Sequence, residues 1–143
     1  MASLSSGEKM IDSTLLDMDG EEHKLSSFND KYILLSFWSM TCLICMKAAK
    51  DLKKIHESYK PKLNIVGINM DTEKSMWEQG TKRDAITWIN LSDGKGVSDG
   101  VGLDYGIAGF PAYVLIDSNG IIIDRWMGYK PGRFEEKMNI HLK

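Results

Sequence analysis

The chain has 143 residues, of which 43% are hydrophobic and 27% are charged, and its formal net charge is −2. This composition is ordinary for a globular protein with a sizeable core, and the slightly negative charge argues against a nucleic-acid-binding protein, which would carry a basic patch. No apolar run approaches the roughly 20 residues that span a bilayer. We therefore expect a single domain over residues 1–143, in which residues 1–13 form a flexible N-terminal segment.

The first predicted elements are a β-hairpin and a buried strand. Residues 14–17 and 23–25 are short segments that flank an Asp-Gly pair, which is a hairpin signal. Tyr32–Trp38 follows as a nearly continuous apolar run. Such a run is typical of a strand in the middle of a sheet that is covered on both faces.

The chain's only two cysteines, Cys42 and Cys45, stand between this strand and a predicted helix over residues 46–59. At the start of a helix, free backbone N–H groups and the positive end of the helix dipole favour a thiolate. Cys45 continues the apolar stripe of the helix, whereas Cys42 lies at its exposed start. Because the thiolate is the form that attacks disulfides, the pair indicates redox chemistry. We expect the pKa of the Cys42 thiol to lie below the free value of about 8.5.

The rest of the chain predicts an α/β fold with a central mixed sheet and helices on both faces. A strand–helix–strand unit imposes a right-handed parallel crossover, and two strands joined by a tight turn pair antiparallel. The remaining predicted elements are the strand Leu63–Asn69, a short helix over 74–79 that stops at Gly80, an extended piece over 87–89, a loop over 92–102, a short helix up to Tyr105 that Ser98 or Asp99 could cap, the strands Ala112–Ile116 and 121–126, and a closing helix over 133–142.

Several motifs together resemble the thioredoxin-like superfamily, and more closely its TlpA/ResA-type thiol–disulfide oxidoreductases of the bacterial envelope. The motifs are Phe37-Trp38 ahead of the cysteines, Gly109-Phe110-Pro111 ahead of a strand, and Leu115-Ile116-Asp117-x-x-Gly120. The resemblance covers roughly residues 14–142. It implies a thioredoxin-like fold with an N-terminal β-hairpin extension and an insert before the strand that follows a cis proline.

The same resemblance implies roles for the site residues. Cys42 would be the attacking thiol and Cys45 the resolving thiol, and the Phe110–Pro111 bond would be cis and lie against the active site. Phe110 and Pro111 would contact the substrate. Apart from the resemblance, the apolar pair Leu43-Ile44 between the cysteines is a candidate docking patch, together with Phe110, for an unfolded or apolar partner, against the simpler interpretation of exposed apolar surface at a helix start.

The chain departs from the resembled proteins at positions that handle protons. Ser36 stands where thioredoxins carry a buried acid, and Ala48 stands where many ResA-type proteins carry a glutamate. Asp71 follows the strand Leu63–Asn69, which should end at the same sheet edge as the strand before the cysteines, where ligands gather in open α/β sheets. Asp71 is therefore a candidate for proton handling, against the simpler interpretation of a loop or cap residue.

The leading interpretation is an enzyme that exchanges disulfides with protein thiols through a mixed disulfide. The resemblance implies a location in the bacterial envelope or periplasm. We expect protein thiols and disulfides and an upstream electron donor as partners, a monomer, and no cofactor or metal. Whether the protein reduces, oxidises or isomerises disulfides is left open. One alternative is a peroxiredoxin-like thiol peroxidase, although no proline precedes the cysteines and Ser39 stands where a threonine would be expected. A second alternative is a Cu(I)-binding metallochaperone that uses Cys42 and Cys45.

Overall fold

The computed structural model describes residues 6–142. A five-stranded mixed sheet in the spatial order β5-β4-β3-β6-β7 occupies the centre, and β1 and β2 form a separate antiparallel hairpin. The elements are β1 (Thr14–Leu16), β2 (Glu22–Lys24), a 3₁₀ turn (Leu25–Phe28), β3 (Tyr32–Trp38), α1 (Leu43–Tyr59), β4 (Leu63–Asn69), α2 (Lys74–Arg83), β5 (Ile89–Leu91), α3 (Gly100–Asp104), β6 (Ala112–Ile116), β7 (Ile122–Met127) and α4 (Arg133–His141).

Strand β3 is the centre of the sheet and carries the chain to the cysteines. It pairs in parallel with β4 along its whole length, from Tyr32 opposite Leu63 to Trp38 opposite Asn69. On its other side it pairs antiparallel with β6. The parallel pairing requires the crossover through α1 and brings the carboxyl ends of β3 and β4 to one edge. The predicted mixed sheet is confirmed.

Two hydrophobic cores lie on opposite faces of this sheet. On one face, α1 and α4 pack against alternate strand residues such as Leu34 and Leu115. On the other face, the hairpin and α3 pack against the intervening residues of the same strands, such as Leu35 and Val114. Because β3 is covered on both faces, six of its seven residues are buried. Helices on both faces, as predicted from the apolar runs, are thus confirmed.

Several predicted boundaries differ from the structure. Helix α1 begins at Leu43, three residues before the predicted start, because Cys42 is its N-cap. Helix α2 continues through Gly80 to Arg83, so the predicted stop at Gly80 is wrong. Strand β5 begins two residues later than the predicted extended piece over 87–89. None of the helices within residues 6–142 is long and apolar enough to cross a membrane.

The predicted flexible segment, residues 1–13, is only partly described, since residues 1–5 lie outside the described range. From Gly7 onward it is attached to the domain. The N–H of Gly7 donates to the Ile122 carbonyl at 2.7 Å and the N–H of Met10 donates to the Gly120 carbonyl at 2.9 Å. Ile11 bonds the hydroxyl of Tyr105. These bonds hold residues 7–11 against β7 and α3, which differs from the predicted free segment.

Candidate active site

The cysteine pair lies in the loop from β3 into α1. Cys42 and Cys45 form a disulfide, with their Cα atoms 5.3 Å apart. Cys42 caps α1, and its Sγ accepts a hydrogen bond from the N–H of Cys45 at 3.2 Å. Cys45 is only 4% exposed, whereas Cys42 is half-buried. The two residues are therefore unequally exposed to solvent, and Cys42 is the more accessible of the pair.

Two charged side chains hold the loop that precedes the cysteines. The N–H of Met40 donates to Asp71 Oδ2 at 2.9 Å, and the Met40 carbonyl accepts from Arg83 Nη1. Asp71 Oδ2 also accepts from Asn69 Nδ2 at 2.8 Å. The carboxylate of Asp71 is thus bonded to the backbone that leads to Cys42. These contacts are those of a residue that fixes a loop, and its predicted role in proton handling stays a prediction.

The Phe110–Pro111 segment approaches the same site from β6. The peptide bond between these residues is cis, as the resemblance implies. Phe110 packs against the cluster of Trp38, Cys45 and Trp77. Pro111 lines a small cavity together with Cys45. The fold therefore brings together cysteine and proline residues that are separated by more than sixty positions in the sequence.

Apolar side chains surround the accessible sulfur. Leu43 is 72% exposed and Ile44 is 46% exposed, both on the first turn of α1. An open groove of about 410 Å³ extends from Thr41 past Phe110 and is lined in part by Met76 and Val97. Exposed apolar surface beside a reactive group is typical of a site that contacts another protein. Phe110 and Asp71 both line this groove, and Leu43 and Ile44 lie on the helix turn that follows Cys42.

Sequence reasoning missed two residues at the end of α2. Arg83 Nε donates to Asp84 Oδ1 at 2.8 Å, and the side chain of Asp84 is only 2% exposed. The predicted helix stopped at Gly80, which left both residues in an unassigned stretch. The run of charged residues 82–84 was the available signal, but such a run usually lies on a solvated surface. Only the tertiary structure shows that the side chain of Asp84 turns inward.

Gly80→Ala is expected to lower the free energy of unfolding by about 1–2 kcal/mol. A Cβ at this position would lie 2.7 Å from Trp38 Cζ3 and 3.2 Å from the Met40 Cα. Since neither a buried indole nor a backbone atom can give way alone, this overlap should outweigh the gain of up to about 1 kcal/mol from alanine's helix propensity. Urea unfolding measures the change, with Lys82→Ala, at an exposed position of α2, as the control. An unchanged or raised stability in Gly80→Ala would show that α2 shifts freely away from the loop.

Comparison with known proteins agrees with this geometry. A family model described as the AhpC/TSA family matches residues 6–125. The chain is 27% identical over 141 residues to the thioredoxin-like protein YneN of Bacillus subtilis, and the aligned region covers 96% of this chain and 81% of YneN. It is also 29% identical over 115 residues to the thiol-disulfide oxidoreductase ResA of Geobacillus thermodenitrificans. This aligned region covers 80% of this chain and 64% of that relative.

A solved structure shows the same fold over almost the whole chain. The thioredoxin domain of a thiol-disulfide oxidoreductase from Bacteroides vulgatus superposes with a TM-score of 0.83 at 28% identity, and the match covers 95% of this chain and 99% of that one. The predicted thioredoxin-like fold and the predicted class, a thiol–disulfide oxidoreductase with a CxxC pair, are thereby confirmed. Because the AhpC/TSA family model matches most of the chain, residues 6–125, the chain belongs to the AhpC/TSA family.

Proposed function

We propose that this protein exchanges disulfides with protein partners through a mixed disulfide on Cys42. The observation that carries the proposal is the unequal pair at the start of α1, in which Cys42 is accessible and Cys45 is buried beside it. The N–H of Cys45 points at Cys42 Sγ, and the helix dipole adds positive potential there. Both effects stabilise a thiolate on Cys42, which is the nucleophile in disulfide exchange.

The exchange runs in two steps when the substrate is reduced. The Cys42 thiolate attacks one sulfur of the substrate disulfide, and the other substrate sulfur leaves as a thiolate that takes a proton from water. Cys45 then loses its proton and attacks Cys42 Sγ, which breaks the mixed disulfide and releases the second substrate thiol. Two electrons pass to the substrate, and the Cys42–Cys45 disulfide remains. A dithiol donor reverses these steps and restores the reduced pair.

A partner would dock on the apolar surface around Cys42. Leu43 and Ile44 would supply its exposed apolar side chains, and Phe110 would contribute to it because Phe110 and Cys42 pack against the same cluster. An extended substrate segment beside its cysteine would lie in the groove past Phe110 and pair with the backbone of Phe110 as a strand does, which gives affinity without a fixed sequence. Such a surface suits unfolded or apolar protein segments.

Leu43→Asp is expected to lower kcat/KM for a protein disulfide such as insulin by about 5- to 20-fold, as loss of one interface anchor does. The rate with oxidised glutathione should change by less than about threefold, because so small a disulfide does not need the apolar patch. The two rates are measured on the same preparation. Ile140→Asp, at another exposed apolar residue (56%) on α4, is the matched control. Equal losses with both disulfides would contradict docking and indicate an effect on the thiols themselves.

The location and partners follow from the same reasoning. We propose an envelope location, a monomeric protein and a membrane-linked or soluble dithiol protein as the electron donor, on the resemblance to the envelope oxidoreductases.

The reduction potential of the cysteine pair decides whether the protein reduces or oxidises its partners. A two-electron transition near roughly −270 mV in thiol–disulfide buffers supports a reductase, whereas roughly −120 to −180 mV supports an oxidase or isomerase.

The two alternative functions give different results in direct assays. Turnover of hydrogen peroxide without exchange of protein disulfides would contradict the proposal and support the peroxidase. Stoichiometric Cu(I) binding without formation of a disulfide would support the metallochaperone. Within residues 6–142, no three side chains of His, Cys, Asp and Glu lie together in a group that could hold a metal ion.

A further inference from the structure

The buried residue Cys45 lines a small cavity. Its wall includes Ser36 from β3, Tyr113 from β6 and Asp84 from the end of α2. It offers about 10 Å³ to the centre of a water molecule, which is room for roughly one water. Two residues of the wall carry a buried polar atom for which residues 6–142 supply no hydrogen-bond partner, namely Trp38 Nε1 and Tyr113 Oη. A wall of this kind suits one bound water.

Asp84 supplies the only carboxylate among the described residues of this wall. Its side chain is 2% exposed, and its oxygens accept from Arg83 Nε at 2.8 Å and from Arg83 Nη2 at 3.3 Å. A carboxylate has about four acceptor positions, so these two bonds leave capacity for another donor. The loop before the cysteines is held by Arg83, which donates to the Met40 carbonyl. Its position therefore does not by itself explain why the Asp84 carboxylate is buried.

We propose that Asp84 accepts the proton of Cys45 during disulfide exchange, through one water held in this cavity. The inference rests on the exchange reaction proposed above. The Cys45 S–H bond breaks as the thiol gives its proton to the water, and the water passes a proton to the Asp84 carboxylate. The resulting Cys45 thiolate attacks Cys42 Sγ, and the substrate sulfur leaves with the electron pair of the mixed disulfide. Asp84 later returns its proton to solvent.

The other groups that face the cavity do not compete for this proton. Tyr113 on β6 has its hydroxyl pKa raised by burial, so it stays protonated and cannot act as a base. Ser36 on β3 is neutral, and Arg83 beside Asp84 is the positive group of this region. Asp71 lines the outer groove rather than this cavity. With Ser36 and Ala48 at the positions where related proteins carry acids, the carboxylate that shares a cavity with Cys45 comes from Asp84 at the end of α2.

The test follows the decay of a mixed disulfide. Reduced protein is mixed with oxidised glutathione, quenched with acid at set times and weighed, so that the glutathione adduct on Cys42 and the final disulfide are counted separately. In the wild-type protein, adduct decay should change by less than about threefold between pH 7 and 8, because a carboxylate takes the proton. In Asp84→Asn, decay at pH 7 should be about 10- to 100-fold slower and rise about tenfold per pH unit. Glu78→Gln, which removes an exposed carboxylate from α2, is the matched control.

Three results would overturn the proposal. The first is a wild-type decay rate that itself rises tenfold from pH 7 to 8, and this result decides the matter even where Asp84→Asn does not fold. The second is wild-type decay in a folded Asp84→Asn protein. The third is equal slowing in Arg83→Gln and Asp84→Asn with the wild-type pH slope in both, which would assign Asp84 to holding Arg83 against the loop. If wild-type protein forms neither adduct nor disulfide, it is the exchange function that fails.

Discussion

Cys42→Ser is expected to lower the rate of disulfide exchange by more than about 1,000-fold, because it removes the only sulfur that a substrate disulfide can reach. Cys45 cannot substitute for it. Cys45 is 4% exposed and packs in one cluster with Trp38 and Trp77, so we expect a protein disulfide to have no line of approach. Reduction of insulin by the variant, coupled to a chemical dithiol, measures the loss.

Cys45→Ser should fail in a different way. The first step still runs, because Cys42 keeps its place at the helix start and its access to solvent, but no thiol resolves the mixed disulfide. The variant should therefore accumulate a covalent adduct with its substrate, visible on non-reducing gels and released by a dithiol. The double variant with both serines should form no adduct and serves as the control. If the Cys42→Ser variant accumulated the adduct and the Cys45→Ser variant did not, Cys45 would be the attacking thiol, which would contradict the proposed mechanism.

The central strands and the cysteine pair could be predicted because their signals are local. Tyr32–Trp38 and Leu63–Asn69 are continuous apolar runs, and the structure gives these same bounds to β3 and β4. Burial on both faces leaves a strand little freedom in composition, so the pattern is strong. The spacing of Cys42 and Cys45 at the strand-to-helix junction likewise depends on neighbouring residues alone.

The surroundings of the cysteines could not be predicted in the same way. Arg83 bonds the carbonyl of Met40, which lies 43 positions earlier, and no local pattern indicates such a contact. The helix that delivers Arg83 runs through Gly80, where the absent side chain permits close contact with Trp38. A glycine that ends a helix and a glycine that lets a helix approach its neighbour look alike in sequence. Because the predicted helix stops at Gly80, the burial of the Asp84 side chain beyond its true end could not be predicted.

Tyr105 is the position at which we expect the largest effect on stability. Its side chain is fully buried, its ring centroid lies 5.8 Å from that of Phe37, and its hydroxyl both accepts from the Ile11 N–H at 3.0 Å and donates to the Ile11 carbonyl at 2.8 Å. Burial raises the pKa of this hydroxyl, so it stays a donor over the whole working pH range. Tyr105→Ala should lower the free energy of unfolding by about 3–5 kcal/mol, because a cavity replaces the ring.

Tyr105→Phe separates the hydroxyl from the ring. Tyr105→Phe should lower the free energy of unfolding by about 1–2 kcal/mol, because the partly buried N–H and carbonyl of Ile11 lose their partner while the packing stays. Urea unfolding of the oxidised protein measures both variants, and Tyr59→Phe is the matched control, since the hydroxyl of Tyr59 makes an exposed bond of 3.3 Å to Asn139 and should matter by less than about 0.5 kcal/mol.

The same residue also ties the N-terminal segment to the loop that carries the proline. The carbonyl of Tyr105 accepts from Arg125 Nη2 at 2.7 Å, so the residue is fixed from β7 as well as from Ile11. Loss of the hydroxyl should therefore free residues 7–11 before it disturbs the cysteines, and faster amide exchange at Ile11 should accompany the lost stability. Wild-type stability together with fast exchange would mean that the segment adds nothing to the fold, whereas wild-type exchange would mean that water replaces the hydroxyl.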